Sequence, residues 1–90
     1  MTHNLQIQKI DENEEHFTFE VKISDKTKHT VVLDKDYYAK LSNGKITPEE
    51  LIEKSFEFLL EREAAEQILS EFNLKEIQNY FPGYKNTICA

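Results

Sequence analysis

The sequence predicts an α+β domain: an N-terminal three-stranded antiparallel meander, then a short helix, one long amphipathic helix and two short C-terminal helices. Three observations carry this. Residues 17–23, FTFEVKI, alternate strictly, with Phe17, Phe19, Val21 and Ile23 on one face and Thr18, Glu20 and Lys22 on the other. Residues 46–63, ITPEELIEKSFEFLLERE, start with a full set of helix signals: Thr47 as N-cap, Pro48 at the first helical position, and Glu50 three residues after the cap. The strands are joined by the short polar runs DENEE (11–15) and SDKTK (24–28), which favour antiparallel pairing.

The elements follow in order. Residues 5–10, LQIQKI, read as a half-buried strand with Leu5 and Ile7 on its apolar face. Residues 29–33, HTVVL, are β-branched and form the third strand, with Val32 placed beside Thr30 on the polar side. Asp34 caps a short helix over residues 35–42, stopped by Asn43-Gly44. Tyr37, Tyr38 and Leu41 then cover one end of the sheet.

In the long helix, at roughly 100° per residue, Leu51, Ile52, Phe56, Phe58, Leu59 and Leu60 cover an arc of about 200°. A helix packed on one surface needs a stripe of little more than about 100°. Two surfaces are therefore expected to meet this helix: the sheet, and either the C-terminal helices or another chain. Continuing it beyond Glu63 would bury Arg62 and Glu63, so a break is expected at residues 63–65. A helix over residues 65–72 follows, then one capped by Asn73 that carries Leu74, Ile77, Tyr80 and Phe81 and ends at Pro82-Gly83. The tail over 85–90 is expected to fray. The sheet thus spans about residues 4–33 and the helical part about 35–81 of one domain.

Composition narrows the function classes. Ninety residues with ten Phe and Tyr support a packed core but no deep pocket. One cysteine, Cys89, precludes an intrachain disulfide and suits a reducing, cytoplasmic setting. No segment approaches the roughly 18 apolar residues of a membrane span, and no apolar N-terminal run has signal-peptide length. The net charge is −6, unevenly placed: residues 20–45 hold six lysines against four acids, and residues 46–90 hold nine glutamates against four bases. That total weakens a nucleic-acid reading, because phosphate contacts come from Lys and Arg.

Chemistry-bearing patterns are sparse. The two glycines, Gly44 and Gly83, are both stops, so no phosphate-cradling loop is predicted. His3, His16 and His29 lack metal-site spacing, although His16 and His29 could approach if their strands pair, with Cys89 as a third ligand. Glu53, Glu57 and Glu61 repeat every four residues on the outward face of the long helix, as a solvated surface does. No cofactor, metal or catalytic residue is assigned, and an enzyme is not expected. The stretch FNLKEIQNYFPGY (72–84) concentrates aromatics whose polar tips suit a half-exposed interface. Phe56, Phe58, Leu59, Tyr80, Phe81 and Tyr84 are the candidate interface residues, facing another protein or a second copy of the chain.

Two resemblances arise at these residues. HTVVLDKDYYAKL, TPEELIEKSFEFLLERE and ILSEFNLKEIQNYFPGY, in that order, resemble a family of short bacterial proteins for which no function is established. The likeness covers nearly everything past residue 17. A proline often follows the ERE in that family, where Ala64 stands here. The order strand 29–33, helix 34–42, turn, helix 48–63 is similar to ribbon-helix-helix DNA-binding proteins, among them antitoxins and repressors, over about a third of the chain. That resemblance implies two chains pairing their ribbons in the major groove, with Lys28, Thr30 and Val32 as DNA-contacting residues and the amides of Thr47 to Glu49 meeting phosphate. The first helix is shorter than in that family, and Glu49 and Glu50 would repel phosphate. The leading expectation is a small non-enzymatic protein-interaction domain.

Overall fold

The period-two alternation forms the sheet it predicts. In a computed structural model describing residues 4–42 and 44–89, β1 (Leu5–Glu12), β2 (His16–Ile23) and β3 (Thr27–Asp34) pair antiparallel in sequence order. His3, Asn43 and the Cys89 side chain lie outside the described part. Phe19, Val21, Val31 and Leu33 point inward with no exposed surface, and Leu5 and Ile7 extend the apolar face at the edge. The β1–β2 register slips between Lys9 and Asp11, leaving Ile10 as the extra, half-exposed residue of a bulge.

The sheet has a fourth strand. β4 (Glu71–Asn73) lies parallel to β3, pairing Thr30 with Glu71, Val31 with Phe72 and Val32 with Asn73. The order β1-β2-β3-β4 makes a mixed sheet, which corrects the three-stranded antiparallel expectation. It also replaces the helix expected over 65–72: a single 3₁₀ turn, Ala65–Gln67, precedes the strand. Three residues are too few to show a period, and their strand partners lie 41 positions upstream. Pairing on both sides places β3 inside the sheet.

Helix α1 (Lys35–Ser42) follows β3 directly, and Gly44, at φ +75°, takes the left-handed turn that ends this segment. Helix α2 (Pro48–Leu60) begins as its sequence predicts. The Thr47 hydroxyl accepts from the Glu50 amide at 3.1 Å, and the Glu50 carboxylate accepts from the Thr47 amide at 3.0 Å. It ends three residues before Glu63. The Arg62 guanidinium lies 3.7 Å from the Phe58 ring centroid and donates to the Phe58 carbonyl at 3.0 Å, covering both an aromatic face and a terminal acceptor.

Both surfaces that meet α2 belong to this chain. Toward the sheet, Phe56 packs against His29 and Phe72. On the other side, Phe58 makes edge contacts with Phe81 and Tyr84, at 5.9 and 5.2 Å between ring centres. After β4 come the 3₁₀ turn Leu74–Glu76, capped by Asn73 as expected, α3 (Ile77–Tyr80) and α4 (Tyr84–Cys89). Helix α4 replaces the expected frayed tail: Tyr84 and Ile88, one helical turn apart, are both buried. Among the described residues, no helix is long and apolar enough to cross a membrane.

Candidate interaction groove

The segment between α2 and α3 is tied down by its backbone, which leaves some of its apolar side chains outside. His29 is buried, and its Nδ1–H donates to the Leu69 carbonyl at 2.8 Å. The carbonyl can only accept, so this nitrogen carries a proton, and Nε2 meets the Thr27 hydroxyl at 2.9 Å. One residue on, the Ser70 carbonyl accepts from the Thr30 amide at 2.8 Å. Asn73 then turns the chain: its amide donates to the Glu76 carboxylate at 2.8 Å, and its side-chain NH₂ donates to Asp34 at 3.1 Å.

A groove results between the end of α2, β4 and α3. Leu59, Phe72 and Ile77 form its buried floor, and Phe81, Glu63, Gln67 and Glu76 also line it. Leu69 and Tyr80 flank it with 51% and 64% of their surface exposed. These two and Ile10 are the exposed large apolar residues of the described chain. The groove holds about 160 Å³, close to the apolar cavity of about 150 Å³ that accepts benzene. One medium-sized side chain fits there.

A second recess is polar. Glu14, Glu15, His16, Asp34, Lys35, Asp36, Tyr37, Lys40 and Lys75 surround about 500 Å³ at the opposite end of β2 and β3 from their hairpin turn. Its central group is Asp34, which meets His16 Nε2 at 3.1 Å, Lys75 Nζ at 3.1 Å and the Asn73 amide. Burial by itself pushes the Asp34 carboxyl up. The Asn73 amide, Lys75 and His16 outweigh it and hold the group below the usual carboxylate range. Nearby, hydrogen bonds from Lys9 and Lys35 pull the Glu12 carboxyl down to about 2. Through His16 of β2 and Asn73 of β4, Asp34 holds β2, β3 and β4 together.

The residues singled out from the sequence divide sharply. Phe56, Phe58, Leu59 and Tyr84 are all at least 96% covered within the chain, and of these four Leu59 lines the groove, at its floor. The arc of α2 is wide because Phe81, just past α3, and Tyr84 of α4 pack on it, a surface the sequence leaves open to the C-terminal helices or another chain. Tyr80 is exposed and Phe81 half-buried, and both line the groove. Leu69, which the sequence places in a helix, lines the groove beside them. Its only sequence signal is a large apolar residue between Ile68 and Ser70, which carries no direction.

The ribbon residues are set differently from a ribbon-helix-helix protein. Thr30 and Val32 are half-buried on the outer sheet face, Lys28 is exposed, and β3 has neighbours along both edges. A ribbon shared with a second chain needs a free β3 edge. The Thr47 amide, assigned to phosphate by that resemblance, already donates to Glu50. His16 faces outward opposite Asp34 and His29 faces inward opposite Val21, so the two do not converge. Among the described residues, no group of three His, Cys, Asp or Glu side chains is placed to hold a metal.

Comparison of the chain with protein-family models, with curated proteins and with solved structures finds no match.

Proposed function

We propose that this protein is a small interaction domain, without catalytic chemistry of its own, that receives another protein at the groove between α2, β4 and α3. The observation that carries this reading is the exposure of Leu69 and Tyr80 beside an apolar floor, while the other large apolar residues among those described, Ile10 apart, are covered or half-covered. Exposed apolar groups gathered around a recess and rimmed by polar ones are how interaction sites differ from scattered surface residues. Tyr80 suits the role, since an aromatic ring with a polar tip gives contact area on both its dry and its wet side. A cytoplasmic setting fits the single cysteine.

Photo-crosslinking in cells tests this. A benzophenone amino acid replacing Tyr80 should yield a discrete crosslinked protein. The same group replacing Lys22, on the outer sheet face, should not. No discrete product from position 80, or equal products from both positions, sinks the reading.

A further inference from the structure

We infer that the groove takes a different protein, one that presents a single apolar side chain within a lysine- and arginine-rich segment; this rests on the reading of the groove as an interface. The apolar part follows from its size and lining. A floor of Leu59, Phe72 and Ile77 and a space of about 160 Å³ accept one side chain of leucine to phenylalanine size.

The basic part follows from charge. Residues 57–81 contain Glu57, Glu61, Glu63, Glu66, Glu71 and Glu76 against Arg62 and Lys75, so six acids and two bases leave −4 of the chain's −6 in this segment. Both bases are engaged. Arg62 lies on Phe58, and Lys75 pairs with Asp34 at 3.1 Å. Among the described residues none of the six glutamates forms an ion pair. Glu63 and Glu76 line the groove itself, and with no ion pair to cancel them there they favour a cationic partner.

The same arithmetic argues against a second copy. A two-fold contact through this face would set −4 against −4. A head-to-tail contact would need a basic surface with an exposed apolar anchor. The basic hairpin of Lys22, Lys26 and Lys28 lacks one, because Ile23 is 1% exposed. Ile10 is exposed, but it sits between Asp11 and Lys9, and Lys9 is bound to Glu12 at 2.6 Å.

A peptide array tests the inference on the intact protein. Its peptides carry Leu, Met, Phe or Ala at the centre, each flanked by Lys/Arg, by Ser/Gly or by Asp/Glu. Lys/Arg-flanked Leu, Met or Phe peptides should bind about tenfold or more tightly than their Ser/Gly-flanked equivalents in low salt, with the advantage lost in about 0.5 M salt. The central Ala should weaken binding by about tenfold or more. Leu69→Ser/Tyr80→Ser should abolish binding, and Glu63→Gln/Glu66→Gln/Glu76→Gln should remove the preference for basic flanks, with circular dichroism showing both variants folded. Equal binding to all three flank classes, equal binding of the Ala peptides, or no binder in the array overturns the inference. So does a dimer in light scattering that Leu69→Ser/Tyr80→Ser dissolves. If crosslinking at position 80 still captures a protein in any of those cases, the groove remains an interface and only its partner class falls. Binding that survives in Leu69→Ser/Tyr80→Ser takes the groove reading down as well.

Discussion

His29 and Leu69, 40 residues apart, are joined by a 2.8 Å hydrogen bond from the imidazole Nδ1–H to the backbone carbonyl. The bond holds the chain that enters β4 against β3 while leaving the Leu69 side chain at the surface. It links a buried polar group of the sheet to one wall of the groove. Replacing His29 with Phe keeps the ring against Phe56 but strands the Leu69 carbonyl. A loss of about 1–3 kcal/mol in urea unfolding is expected. Nitrogen chemical shifts of the wild-type ring should report a proton on Nδ1, and an unprotonated Nδ1 would contradict this arrangement.

Tyr84 and Ser55 form the second buried polar tie. Ser55 Oγ donates its only proton to the Leu51 carbonyl at 2.7 Å, so the Tyr84 hydroxyl, 2.5 Å away, is the donor to Ser55. Tyr84→Phe should cost about 1 kcal/mol, and Tyr84→Ala about 3–5 kcal/mol because the ring fills the space beside Phe58. Amide exchange in α4 should be slow in the wild type and fast in Tyr84→Ala. Rapid exchange in both would mean that α4 does not dock.

Phe58 and Leu69 should respond in opposite ways. Phe58→Glu places a charge between Phe81 and Tyr84 and is expected to unfold the protein. Leu69→Ser and Tyr80→Ser alter exposed side chains and should change stability by no more than about 0.5 kcal/mol in thermal or chemical denaturation.

Acid should loosen the fold over a defined window. The Glu12 carboxyl is held down to about 2 by hydrogen bonds from Lys9 and Lys35. Glu50 is lowered by the Thr47 backbone and side chain; burial raises Asp34, but Asn73, Lys75 and His16 together outweigh it and leave it lowered. Each folded value lies below its unfolded one, so the stabilisation is complete above the ordinary carboxylate range. It is lost as pH falls through the folded values, reaching down to about 2 for Glu12. Carbon-detected titration of Glu12 should find its midpoint near 2, and Lys9→Met/Lys35→Met should return it toward 4.5.

Much of this was legible in the order of residues. The capping box of Thr47 and Glu50, the alternation of Phe17 to Ile23 and the Asn73 cap are local patterns, and the structure has all three. The groove was half legible: Tyr80 and Phe81 stood out as dense aromatics, while Leu69 looked like one more apolar position in a helix. Tyr84 and Ile88 carry an i, i+4 signal that runs into the stretch 85–90 expected to fray.

The sequence by itself determined the elements whose reasons lie within a few residues: period, caps, turns and the acidity of the helical half. Tertiary structure decided that Glu71–Asn73 is a strand, that Phe81 and Tyr84 occupy the second surface of α2, and that Leu69 and Tyr80 stay outside. A three-residue strand exists only through the partner it pairs with, and a side chain is exposed only by what fails to cover it. Both are relations between distant parts of the chain, and no local pattern encodes them.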